Sequence, residues 1–280
     1  MSKNKLGGIS VRLIAEQFIV NKINMMTKII IGVFLLIISA TCKSQTIELS
    51  DISADRPGMA TPPAISQPKA LQIETGFSYE KIKYENSFQE TILYNTTLLR
   101  YGINQNSEIR LQTDYTQVKT DSLNITGFNP LTIGTKLFIS EEKGILPKTS
   151  FLFNLTLPCF GEKNFRPENL TPSIYLLMQN NITKNLNVCY NIGIEYDGES
   201  ANPTEFAAIC FGYNITEKIN GFIENYNWFS DFTKPENYID LGCAYLIRKN
   251  IQLDLSGNMN LQDVEKYLMI NFGVSWRIPK

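Results

Sequence analysis

From Tyr267 to Ile278 the side chains alternate almost without a break. Leu268, Ile270, Phe272, Val274, Trp276 and Ile278 fall on one face, and Met269, Asn271, Gly273, Ser275 and Arg277 on the other. Successive side chains of a β-strand point to opposite sides, so this segment is a strand with one apolar face and one face of small, polar and charged groups. A soluble barrel would turn the apolar face inward, whereas a membrane barrel turns it outward to lipid and keeps a wet interior. Repetition along the chain has to separate the two.

The pattern recurs from Leu71 onward, with a strand-like segment about every sixteen residues and no sustained helical period between them. Twelve strands are expected, over 71–81, 89–101, 107–118, 130–140, 149–158, 171–181, 185–197, 204–214, 217–229, 236–247, 250–258 and 266–279. On the first, Leu71, Ile73, Phe77 and Tyr79 oppose Gln72, Glu74, Gly76, Ser78 and Glu80; on the third, Ile109, Leu111 and Tyr115 oppose Glu108, Arg110, Gln112 and Asp114. The turns Thr183 to Asn185, Thr216 to Lys218 and Arg248 to Asn250 are tight, while Asp121 to Asn129, Cys159 to Leu170, Gly198 to Pro203 and Ser230 to Glu236 are longer. Strict alternation of short and long turns is expected, which is the asymmetry of barrels with short periplasmic turns and long external loops. Tyr79, Tyr196, Trp228, Tyr238 and Trp276 fall near the expected strand ends, where interfacial aromatic girdles sit. The fold expected is an all-β, antiparallel, up-and-down transmembrane barrel.

Composition narrows the function. Among 280 residues, 26 are basic and 27 acidic, with no basic cluster interleaved with aromatics, so nucleic acid is excluded as a partner. The chain has no histidine, which removes Ser-His catalysis and the commonest metal ligand. Cys159, Cys189, Cys210 and Cys243 are dispersed without zinc spacing, and no phosphate-binding glycine motif is present. No cofactor, metal or catalytic residue is expected, and a membrane-embedded hydrolase is the least favoured class. Cys189 and Cys210 fall on adjacent expected strands with the same orientation, so a disulfide between them is an open alternative to packing thiols.

Lys28 precedes an apolar run from Ile29 to Ala40, followed by Thr41, Cys42, Lys43, Ser44 and Gln45. This reads as a secretory signal, too short to span a membrane as a helix. The expected organisation is residues 1–44 as an upstream extension and signal, with the natural start at Met25 or Met26; residues 45–70 as a periplasmic lead-in; and residues 71–280 as the barrel. Lipidation at Cys42 is the alternative to simple cleavage. The location that follows is the outer membrane of a Gram-negative-type bacterium, with lipid and the barrel-assembly machinery as partners.

Ala54-Asp55-Arg56-Pro57-Gly58, followed after Pro68 by Leu71-Gln72-Ile73-Glu74-Thr75-Gly76-Phe77, resembles the opening of a family of outer-membrane β-barrels known as "meta-pathway of phenol degradation" proteins. Leu99 to Ile103, Ser107 to Leu111, Ile133 to Lys136 and Leu157-Pro158 look like later motifs of that family, in order. Gly58 stands where an acidic residue is common. The resemblance implies an outer-membrane barrel linked in some cases to uptake of aromatic or other hydrophobic compounds, and it supplies no catalytic residues.

Glu74, Arg100, Glu108, Arg110, Lys136, Glu195, Glu224, Asp240 and Arg277 are the candidate lumen-facing charges. In one reading they line a wet path and set its selectivity; in the other they pair across neighbouring strands and fill the lumen. The N-terminal motif Asp55, Arg56 and Pro57 either folds into the barrel as a plug or leads to the first strand, with the lead-in preferred as the simpler reading. The expected function is passive passage of a small solute, hydrophobic or aromatic compounds included. The alternative is a closed barrel with a structural or loop-mediated binding role.

Overall fold

The computed structural model describes residues 50–85, 87–231, 234–261 and 266–278; the segment expected as a signal, with Cys42, lies outside them. Its strands are β1 (Leu71–Lys83), β2 (Phe88–Asn104), β3 (Ser107–Thr120), β4 (Asn124–Phe128), β5 (Thr132–Ser140), β6 (Lys148–Thr156), β7 (Thr171–Asn181), β8 (Leu186–Glu195), β9 (Thr204–Asn214), β10 (Ile219–Phe229), β11 (Glu236–Arg248), β12 (Ile251–Asn260) and β13 (Lys266–Ile278). Every neighbouring pair is antiparallel, and β13 closes the ring on β1 along its whole length, from Leu71 opposite Ile278 to Lys83 opposite Lys266. Closure removes the edges of the main ring, leaving only the short β4, which pairs with β3 alone among the described residues, with an outer edge.

The alternation sorts as a membrane barrel requires. Leu268, Ile270, Phe272 and Trp276 are exposed on the outside of β13, while Asn271, Ser275 and Arg277 are buried on its inside. Ile192, Ile209, Phe211, Leu241, Tyr245 and Leu255 continue the exposed apolar surface on β8, β9, β11 and β12. A contiguous apolar band of this extent is incompatible with a water-covered surface and fits the hydrocarbon of a bilayer.

Three sequence expectations change. Residues 121–129, expected as a loop, contain β4, which pairs with Tyr115–Lys119 of β3 beyond the stretch where Ser107–Gln112 pair with β5. Strand β3 outruns β5, and β4 supplies partners for backbone groups that would otherwise stay open. The alternation of turn lengths is not strict, because residues 141–147 link β5 to β6 at the short-turn end, and only residues 84–87 separate β1 from β2 at the other. Trp228 and Tyr238 do not join an outer girdle; they pack with Tyr226, Phe206 and Tyr175 inside the ring.

Candidate functional site

The described part of the segment expected as a periplasmic lead-in, residues 50–70, runs instead through the interior of the ring. Its entry is held at the short-turn end, where Ile52 N–H donates to the Lys249 carbonyl at 2.7 Å and Arg277 donates to the carbonyls of Ser50 and Lys249. Its exit is fixed at the same end, with Lys69 N–H donating to the Gly102 carbonyl at 2.7 Å. Between these points it bonds to inner-face side chains of β1, β2, β3, β5, β6, β8, β10 and β12. Strands on all sides converge on it, so residues 50–70 form a strap across the lumen. The lead-in reading fails because Asp55 and the backbone of this stretch match donors and acceptors that the barrel wall otherwise buries unpaired.

The strongest anchorage is on β1, β2, β3 and β5. Arg100, Arg110 and Lys136 meet Asp55, Glu74 and Glu108 in one buried network. Asp55 receives all three cations, Arg100 at 2.9 Å, Arg110 at 2.5 Å and Lys136 at 2.9 Å. Burial alone would raise the pKa of Asp55, but Arg100, Lys136 and Arg110 hold it well below the usual carboxylate range. Arg100 grips Glu108 with two nitrogens, each at 2.9 Å, and reaches Glu74 at 2.8 Å. It also donates to the carbonyls of Ser53 and Ala64, both at 3.0 Å, on the two limbs of the strap. A planar guanidinium with five donors is suited to this; an ammonium is not. Lys136 adds bonds to the carbonyls of Pro62 at 3.0 Å and Ala64 at 3.3 Å. The carboxylates turn to strap amides as well, Glu74 to Asp55 N–H at 2.9 Å and Glu108 to Ser66 N–H at 2.6 Å.

The opposite wall holds the strap without cations. Glu224 on β10 accepts the Met59 and Ala60 amides at 2.7 Å each, and Asn191 on β8 pairs with both backbone groups of Thr61 at 2.6 and 3.0 Å. Ser150 on β6 donates to the Pro63 carbonyl at 2.6 Å. Arg56, at the inner turn of the strap, bonds Thr96 at 2.9 Å and Asp254 at 3.3 Å, and its guanidinium lies over Gly76 and Gly273, which face each other across β1 and β13. A Cβ at either glycine would strike that guanidinium, so the wall is hollowed to admit it.

Two cavities meet the strap at Asp55–Gly58 from opposite sides. One of about 420 Å³ opens toward the long loops and is lined by Leu98, Asp114, Tyr175, Glu195, Phe206 and Met269. The other, about 330 Å³, opens toward the short turns and is lined by Cys189, Cys210, Phe222, Glu224, Ala244 and Gln252. Above Glu224 the interior carries an aromatic stack: Tyr226 lies parallel to Tyr238 at 5.1 Å between ring centres, and Trp228 stands edge-on to both.

The nine charges singled out from the sequence therefore occupy four places. Glu74, Arg100, Glu108, Arg110 and Lys136 are together around Asp55. Glu224 and Asp240 are neighbours across β10 and β11, opposite that cluster. Glu195 lies toward the long loops and accepts the Trp228 indole N–H at 3.4 Å, and Arg277 guards the strap's entry. Sequence reasoning missed Asn191, Ser150, Asp254 and the interior aromatics; for the aromatics a signal existed, because Tyr226 and Trp228 share the parity of Glu224, and Tyr238 that of Asp240. Cys189 and Cys210 face each other in register on β8 and β9 and are free thiols.

The fold is similar to the COG4313 outer membrane channel from Pseudomonas putida F1, with a TM-score of 0.60 and 11% identity over 80% of this chain and 99% of that one. It is also similar to the translocator domain of the autotransporter NalP from Neisseria meningitidis, with a TM-score of 0.50 and 11% identity over 76% and 90% of the two chains. At such identities the likeness is one of fold. No curated protein matches the sequence. The model of the family described as "Putative MetA-pathway of phenol degradation" matches residues 54–278, from the middle of the strap to the closing strand, and the chain belongs to that family.

Proposed function

We propose that the protein is an outer-membrane channel through which a small apolar or aromatic solute passes by diffusion, with the strap as the constriction. The observation that carries this reading is the pair of cavities meeting at Asp55–Gly58: the barrel is wide enough to hold solute on both sides of a single chain segment. The cavity toward the long loops mixes Leu98, Tyr175, Phe206 and Met269 with Asp114 and Glu195, which suits a body with an apolar surface and one polar group. Seven of the nine charged positions, Glu224 included, act in this reading by fixing the strap; Glu195 lines the cavity toward the long loops and faces solute, and Asp240 has no bond to the strap among the described residues. The expected partners are outer-membrane lipid, the assembly machinery that inserts barrels, and a solute of this chemistry; the expected route is export by the signal in residues 1–44.

A closed barrel with a structural or loop-binding role is the competing reading, favoured by the number of bonds that hold the strap. Liposome swelling separates them. Vesicles carrying the refolded protein should admit small aromatic solutes faster than sugars of similar mass. Equal, background rates for both would support the closed barrel.

A further inference from the structure

The interior carries one polar cluster that the strap does not explain. Asp240 is fully buried, and among the described residues neither of its carboxylate oxygens has a partner in hydrogen-bonding geometry; the Ser256 hydroxyl and the amides of Leu241 and Gly257 lie nearby but outside it. Register places it directly opposite Glu224 on one side and Asn258 on the other, across β10, β11 and β12. Side chains opposed in this way on one face have Cβ atoms roughly 4.5–5.5 Å apart. Asn258 is 1% exposed, and its Oδ1 likewise has no partner among the described residues. Each Glu224 oxygen accepts one strap amide and keeps a lone pair.

Cations do not reach this trio. Arg56 is engaged by Asp254, and Arg100, Arg110 and Lys136 by Asp55, Glu74 and Glu108; no ion pair to Glu224 or Asp240 occurs among the described residues. Two facing carboxylates and an orphaned amide oxygen, all out of water, form an arrangement that is costly when left empty.

We propose that Glu224, Asp240 and Asn258 bind a small, hard divalent cation of the Ca²⁺ type. The three side chains offer up to five oxygens carrying two formal negative charges, and water from the cavity at Glu224 would complete the six to eight that Ca²⁺ takes in irregular geometry. Asp240 is too enclosed for an ammonium borne on a carbon body, which leaves a bare ion. Glu224 lines the cavity toward the short turns and supplies the way in. A bound ion would tie β10, β11 and β12 together and, through Glu224, the Met59–Ala60 turn of the strap. The inference does not depend on solute passage.

The test uses the protein refolded without residues 1–44 and stripped with EDTA. Calorimetric titration with CaCl₂ should give one site per chain, and Ca²⁺ should raise the temperature at which the compact gel band converts to the unfolded one. Asp240→Asn should abolish the Ca²⁺ response while leaving the metal-free barrel at least as heat-resistant as the parent, because an uncompensated charge has gone. Asn258→Ala should weaken binding without removing the fold. Absence of a Ca²⁺ response in the parent, an undiminished response in Asp240→Asn, or tighter binding of Zn²⁺ through Cys210 beside Glu224 would each overturn the assignment. So would a metal-insensitive barrel stabilised by acid, which would give the pair a shared proton in place of the ion.

Discussion

The two inner walls of the barrel satisfy the same strap by different physics. On β1, β2, β3 and β5, charge meets charge: three cations and three carboxylates close on one another and on strap carbonyls. On β6, β8 and β10, neutral groups and one carboxylate take up strap amides and carbonyls, and aromatic rings fill the space above. On the first wall the buried charges are engaged with one another and with the strap. The second holds carboxylate oxygens that no cation of the described residues meets. The difference teaches that a barrel interior can divide its labour, with one side fastening a constriction and the other left free to meet what passes.

The comparison breaks most sharply at Arg100. Arg100→Ala leaves Asp55, Glu74 and Glu108 with only Arg110 and Lys136, and loss of one partner from a buried ionic network costs about 3–5 kcal/mol. Heat conversion should fall markedly and residues 50–70 should become cleavable by protease; Arg100→Lys should not restore protection, since one ammonium cannot grip Glu108 twice. Asp55→Asn comes next. It leaves three buried cations facing two carboxylates, for about 3 kcal/mol, the low end of the same range because the amide keeps an acceptor oxygen. The barrel should stay heat-modifiable while the strap loosens, read by protease and by larger conductance. Tyr226→Leu, on the other wall, removes an aromatic pair worth about 0.5–1.5 kcal/mol beyond its buried area. It should leave strap protection intact and slow aromatic solutes relative to aliphatic ones in swelling assays. Equal effects of Asp55→Asn and Tyr226→Leu on the strap would erase the distinction between the walls.

Acid supplies the mildest probe. The pKa of Asp55 is depressed in the fold, so its contribution is complete above its unfolded value, about 3.9, and fades as pH falls below that. Strap protection should therefore hold at neutral pH and decline below about pH 4. Protection that instead improves on acidification would contradict the network.

Much of the fold was legible because period-two alternation is a local property. The two faces of Leu268 to Ile278 and Leu71 to Glu80 are legible from alternation alone, whereas which face turns outward rests on the signal-like segment, the turn lengths and the aromatics. Strand β4 was not legible, because five residues show too little alternation and its existence depends on β3 outrunning β5. The strap was left open for a different reason. Residues 50–70 have no periodicity, and their place is set by long-range partners such as Lys136 for Asp55 and Glu224 for Ala60. The interior aromatics were missed although parity with Glu224 and Asp240 fixed their side, since a large ring near a strand end suggested a girdle first.

The central claim is that the strap constricts a channel. Its most direct test is single-channel conductance in planar bilayers, comparing protein that begins at Gln45 with protein lacking residues 50–66, both shown to be heat-modifiable barrels. The account predicts small steps from the first and steps several-fold larger from the second, because removal of the strap joins the two cavities into one lumen. Identical conductance from the two folded barrels would contradict it.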